Sequence, residues 1–204
     1  PEEIARIPAT GALVVVANHP SGLVDGMLMA ELVCRVRSDF KILTRSLLTG
    51  IPEVEEFMIP VPFPHEDNAR ELGLQMRHDT MAHLKAGGVI ILFPAGKVAM
   101  SEGWWGKAVE AEWNVFTHKI VKSSGATILP IYFAGQNSRA FLIANKVSDT
   151  IRQGLLLHEI KRCLFKPQRP VIGFPIPAEE LKKWDGNPRG FLAWLREQTL
   201  AMGK

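Results

Sequence analysis

The regular alternation of short, uninterrupted apolar runs with longer stretches of helical period constrains this chain more than any other feature. The first run, ALVVVAN (12–18), is β-branched, strand-sized and bounded by Gly11 and Pro20, which reads as a buried strand. FKILT (40–44), EFMIPV (56–61), VIILF (89–93), ATILPIYFAG (126–135) and PVIGFPI (170–176) read the same way. Helical period marks DGMLMAELVCRVR (25–37), with Asp25 placed as its N-cap, and EDNARELGLQMRHDTMAHLKAGG (66–88), stopped by Gly87–Gly88. It marks also GKAVEAEWNVFTHKIVKSSG (106–125), AEELKKW (178–184) and PRGFLAWLREQTLAM (188–202). This spacing predicts an α/β fold: one domain over 1–204 with a mostly parallel mixed sheet flanked by helices.

Composition narrows the function classes. An apolar content of 47% against 22% charged residues is that of a globular chain. Cys34 and Cys163 are too far apart for a CxxC pair, so a reducing compartment is expected. No run approaches the ~18 apolar residues of a spanning helix, and no signal peptide is visible. The chain starts at Pro1 without a methionine; the expectation is a trimmed chain, with any N-terminal anchor outside it. A net charge of +3 suits anionic partners such as phospholipid surfaces, phosphorylated substrates or an acidic carrier protein. No Lys/Arg block is dense enough for nucleic acid, and a single tyrosine offers little for base stacking.

Several motifs fail on inspection. Gly96–Lys97 has Ile91 where a P-loop needs glycine and Val98 where it needs Ser or Thr. HEIKR (158–162) puts Arg162 in place of the second zinc-binding histidine, and His78 and His83 are one residue off a shared helix face. Ser21 lies outside a GxSxG elbow. What remains is NHPSGLVDG (18–26), immediately behind the first strand. A turn at Pro20–Gly22 can fold Asp25 back onto His19, so that the carboxylate sets the tautomer and the free ring nitrogen takes a proton. The alternative is a structural turn in which Asp25 only caps the helix. Pro94–Lys97 and Gln136–Asn137 also follow strands and would converge on the same edge of a parallel sheet.

In order, NHPSGLVDG (18–26), LFPAGK (92–97), ILPIYF (128–133) and GQNS (135–138) resemble the motifs of the lysophosphatidic acid acyltransferase-like (PlsC-like) glycerolipid acyltransferases. The chain is more narrowly similar to their hemolysin-like, lyso-ornithine-lipid acyltransferase branch, over about residues 10–176. Five residues separate His19 from Asp25, a longer spacing than the wider family's and similar to that branch. Ala95 stands where the wider family carries glutamate, and the arginine motif is blurred, with Arg45 and Arg70 as rival cations. The resemblance implies acyl transfer from acyl-CoA or acyl carrier protein to a lysolipid hydroxyl, lysophosphatidic acid-like or a lyso-ornithine lipid. His19 is then the general base and Asp25 its partner, and Ser21, Gly22, Arg45, Pro94, Gly96 and Lys97 contact substrate. Backbone N–H groups at Gly22 or Gly96 are the expected oxyanion donors. No metal or bound cofactor is needed, and the expected location is cytoplasmic, peripheral on the inner membrane face. Trp104 and Trp105, beside Lys107 and near AFLIANK (140–146), are candidate interface anchors. Two rival functions are a non-catalytic lipid-binding domain of the same fold and a thioesterase- or lipase-like hydrolase.

Overall fold

The computed structural model describes residues 2–45, 52–63, 65–164 and 166–204, with backbone alone at 52 and 149. In chain order these residues form β1 (Leu13–Ala17), α1 (Leu23–Cys34), β2 (Phe40–Arg45), α2 (Pro52–Glu55), β3 (Met58–Val61), α3 (Ala69–Lys85) and β4 (Val89–Leu92). There follow β5 (Met100–Ser101), β6 (Ala108–Val109), α4 (Phe116–Ser124), β7 (Thr127–Tyr132), α5 (Arg139–Val147), α6 (Asp149–Gly154), α7 (Leu156–Cys163), β8 (Val171–Ile172) and α8 (Pro188–Ala201). Short 3-10 helices span Ile4–Arg6 and Ala178–Trp184.

Six strands make one sheet in the order β3-β2-β4-β1-β7-β8, and β5–β6 form a separate small hairpin. Every pairing from β3 to β7 is parallel, while β8 runs antiparallel to β7. The fold is therefore the expected α/β domain with a mostly parallel mixed sheet and helices on both faces.

β1 explains why its sequence is apolar without alternation. It pairs with β4 on one side and β7 on the other, Val14 lying opposite both Ile90 and Ile128. Val14 and Val16 join Leu84 of α3, Ile120 and Val121 of α4 and Phe191 and Leu195 of α8 in one core. Leu13, Val15 and Ala17 point the other way, against Met29, Leu32 and Val33 of α1. A strand covered on both faces must be apolar at every position; burying each valine stabilises by about 1.5–3 kcal/mol.

Four expectations need correction. The stretch 106–125 is helical only from Phe116; before that it holds β6 and extended backbone. Arg196 of α8 donates to the carbonyls of Glu110 and Ala111, taking two acceptors that a helix there would use. Only Val171–Ile172 of the late strand pairs continuously, with one further bridge at Ile176; Pro175 lies between and has no N–H to give. Residues 178–184 wind as a 3-10 helix rather than an α-helix. Finally, α1 begins at Leu23 with Gly22 at its cap, so Asp25 lies inside the first turn and caps nothing.

Candidate active site

Parallel strands deliver their carboxyl ends to one edge, and the loops after β1, β4 and β7 lie there. Asn18 locks the first of them. Its amide donates to the Phe133 carbonyl and accepts from the Phe133 N–H, both at 2.8 Å, continuing the β1–β7 pairing through a side chain. His19 follows, and the chain turns at Gly22, whose φ of +69° favours glycine. A Cβ there would also press on Val98 Cγ2 at 3.3 Å.

That turn brings Asp25 under the imidazole. His19 Nδ1 lies 3.0 Å from Asp25 Oδ2, and the Ser21 N–H donates to the same oxygen at 2.7 Å. Asp25 is 2% exposed. Burial pushes its carboxyl up from the usual range, opposed by the His19 contact and by N–H groups of Ser21 and Gly22. With the carboxylate accepting at Nδ1, the proton sits there and Nε2 is the basic nitrogen. Nε2 makes no hydrogen bond among the described residues. The ring stacks on Phe93, centroids 3.9 Å apart, which fixes its plane.

The backbone of His19 is gripped from one further segment at both ends of a hairpin. Its carbonyl accepts from the Ala99 N–H at 2.8 Å, and its N–H donates to Glu110 Oε2 at 3.1 Å. Glu110 is 7% exposed, and its other oxygen accepts from the Trp113 indole N–H at 3.1 Å. Burial raises the Glu110 carboxyl, offset by the His19 N–H and the indole. This second carboxylate escaped the sequence reading, which placed it in mid-helix. The signal available was Trp113 three positions on, but nothing local tied either residue to a loop 91 residues earlier.

The remaining expected residues fall on the same edge in different conditions. Pro94–Ala95–Gly96 turns behind β4, with the Gly96 N–H bonded to the Phe93 carbonyl at 2.9 Å. Gly96 therefore shapes the turn instead of presenting a donor, and Gly22 N–H is directed to Asp25. Ala95 packs against the core cluster that holds Trp113. Lys97 is exposed and makes no side-chain hydrogen bond among the described residues. Arg45 ends β2, two strands from β1 or about 10 Å by strand spacing. It donates to the Pro62 carbonyl at 2.9 Å and lies over the Phe63 ring. Arg70 is instead exposed in the first turn of α3. Gln136 accepts from the Ala108 N–H at 3.0 Å, joining the loop after β7 to the hairpin.

Among the described residues no three His, Cys, Asp or Glu side chains are grouped to hold a metal, and no helix is long and apolar enough to cross a membrane. A cavity of about 430 Å³ beside β8, lined by Pro130, Phe174, Trp194 and Met202, includes none of these site residues.

A partly exposed histidine with an open basic nitrogen, held by a buried aspartate, is suited to removing a proton from a hydroxyl or a water. The sequence is similar to a lyso-glycine lipid O-acyltransferase from Phocaeicola vulgatus, 26% identical over 192 residues, or 88% of this chain. The chain spans 64% of the length of that curated relative. A family model described as acyltransferase matches residues 1–167, and the chain belongs to that acyltransferase family.

Proposed function

We propose that this chain moves a fatty acyl group from a thioester, on CoA or acyl carrier protein, to the hydroxyl of a lysolipid. The observation that carries the reading is the His19–Asp25 contact of 3.0 Å at the carboxyl edge of β1. His19 Nε2 takes the hydroxyl proton as the oxygen attacks the thioester carbonyl. Asp25 holds the tautomer and stabilises the imidazolium. When the tetrahedral intermediate collapses, the C–S bond breaks and the imidazolium returns its proton to the departing thiolate. An ester and a free thiol result, and no enzyme acyl intermediate is required.

Glu110 acts here as a positioning residue. It holds the His19 N–H while Ala99 holds the carbonyl, so the imidazole is fixed by its backbone as well as by Asp25 and Phe93. The oxyanion falls to the 95–98 turn, where the Lys97 N–H has no internal acceptor among the described residues. Lys97 supplies positive charge toward anionic parts of donor or acceptor.

The acceptor we favour is a lyso-amino-acid lipid. Position 95 offers no carboxylate, and Arg45 is engaged with Pro62 and Phe63 instead of standing ready for a phosphate. The acceptor in the relative's name points the same way. Mass spectrometry of products tests this, with acyl-CoA or acyl carrier protein offered against lysophosphatidic acid, lyso-ornithine and lyso-glycine lipids. A diacyl product absent with His19→Ala is expected. Free fatty acid formed without an acceptor would make the protein a hydrolase. Lysolipid binding without turnover would leave it a binding domain.

A further inference from the structure

We propose that the 100–109 hairpin and the neighbouring helices α5–α7 form the surface by which this protein sits on an anionic lipid bilayer, with Trp104 and Trp105 entering the interface. The hairpin is the segment that starts and ends on His19: Ala99 meets its carbonyl and Glu110 its N–H. Between those two feet the chain runs outward to a tip carrying Trp104, 54% exposed, and Trp105, 76% exposed. Trp104 is five positions from Ala99, so the tip lies within about 17 Å of that contact with the histidine at full extension.

The tip is held in place. Lys146 Nζ of α5 donates to the Glu102 carbonyl at 2.6 Å, and Arg139, two turns earlier on α5, donates to the Gly106 carbonyl. From the end of α5 onward the exposed apolar side chains are Val147, Ile151, Leu157 and Leu164. On α7, Leu157, Lys161 and Leu164 recur at helical spacing on its outer face, while Glu159 turns inward to Ser138. Large apolar groups clustered at one surface mark a binding face.

Charge selects the occupant. Residues 139–164 hold five Lys or Arg against two acids, an excess equal to the net +3 of the entire chain. Of those acids Glu159 is buried and paired with Arg162. Exposed indoles and aliphatic side chains interleaved with cations suit the headgroup layer of an anionic membrane. The tethering then places His19 where a lysolipid exposes its hydroxyl. This deepens the acyltransfer reading, but its test needs no turnover.

The full chain is mixed with vesicles of phosphatidylcholine containing or lacking phosphatidylglycerol, and binding is read by flotation and by tryptophan quenching from brominated acyl chains. Binding that requires phosphatidylglycerol, with quenching, is expected. Trp104→Ala/Trp105→Ala should lower affinity about tenfold or more and abolish most quenching. Leu74→Ala, an exposed residue on α3, should bind as the parent does. Circular dichroism establishes that the variants are folded. Equal binding by the double variant, quenching that persists in it, or a folded parent that binds no vesicle would each overturn the proposal. A chain that binds vesicles but transfers no acyl group would overturn the function and leave the surface standing.

Discussion

The two edges of the central sheet each bury charge, Arg37 at one and two carboxylates at the other, and they are built to opposite rules. At the amino edge Arg37, 6% exposed, is saturated. It donates to both oxygens of Asp39 at 2.7 and 2.6 Å and to the carbonyls of Pro8, Gly11 and Gly87. The guanidinium beside Asp39 holds that carboxyl below its usual range. At the carboxyl edge Asp25 and Glu110 are buried with a histidine between them, and burial drives both carboxyls up. The first cluster joins loops and has nothing left to offer. The second keeps a ring nitrogen unengaged at the cost of carboxylates that would ionise more readily in water. That contrast separates a structural clamp from a poised site.

The largest expected effect lies at the carboxyl edge. His19→Ala should reduce single-turnover acyl transfer about 10³-fold or more with little change in melting temperature. Asp25→Asn, which keeps the shape but lets the imidazole choose its tautomer, should cost about 10²-fold or more in the same assay. Arg37→Ala should invert this pattern. Stripping a buried donor from three carbonyls should lower unfolding free energy by about 2–4 kcal/mol in urea titrations, with kcat of the folded enzyme nearly unchanged. A large activity loss there, without unfolding, would dissolve the distinction between the edges.

Acid should act on the edges in opposite senses. Asp39 is lowered, so the stability it contributes is present above its ordinary 3.8 and lost as pH falls through the folded value. Glu110 is raised, so the folded state is relieved in acid and loses stability as pH climbs from its ordinary 4.5 through the folded value. Glu110→Gln should therefore raise the melting temperature at pH 8 and leave it nearly unchanged at pH 4. Acyl transfer should fall about tenfold in kcat with KM nearly unchanged, because the hold on the His19 backbone N–H is weakened. An unchanged kcat would reduce Glu110 to scaffolding.

Much of this was legible in the chain before folding. The doubly buried strand β1 announced itself because both faces had to be apolar, and the parallel order followed from alternation with helices. The His19–Asp25 pair was legible because six positions and one glycine suffice to close it. Asp25 as a cap was a misreading by three residues of where the helix starts, since Gly22 rather than the carboxylate takes that position. The sequence between 106 and 115 misled for a stronger reason: its local composition suits a helix, but Arg196 and Trp113 claim its polar groups.

By itself, then, the sequence determined the strands of the central sheet and the short-range His19–Asp25 contact, because each depends on neighbours a few residues apart. Only the tertiary structure decided that Glu110 would lie beneath His19, that both ends of the tryptophan hairpin would grip the same histidine, and that Ala95 would face the core. Burying a carboxylate or exposing an indole is settled by which distant segments pack together, and no local pattern encodes that choice.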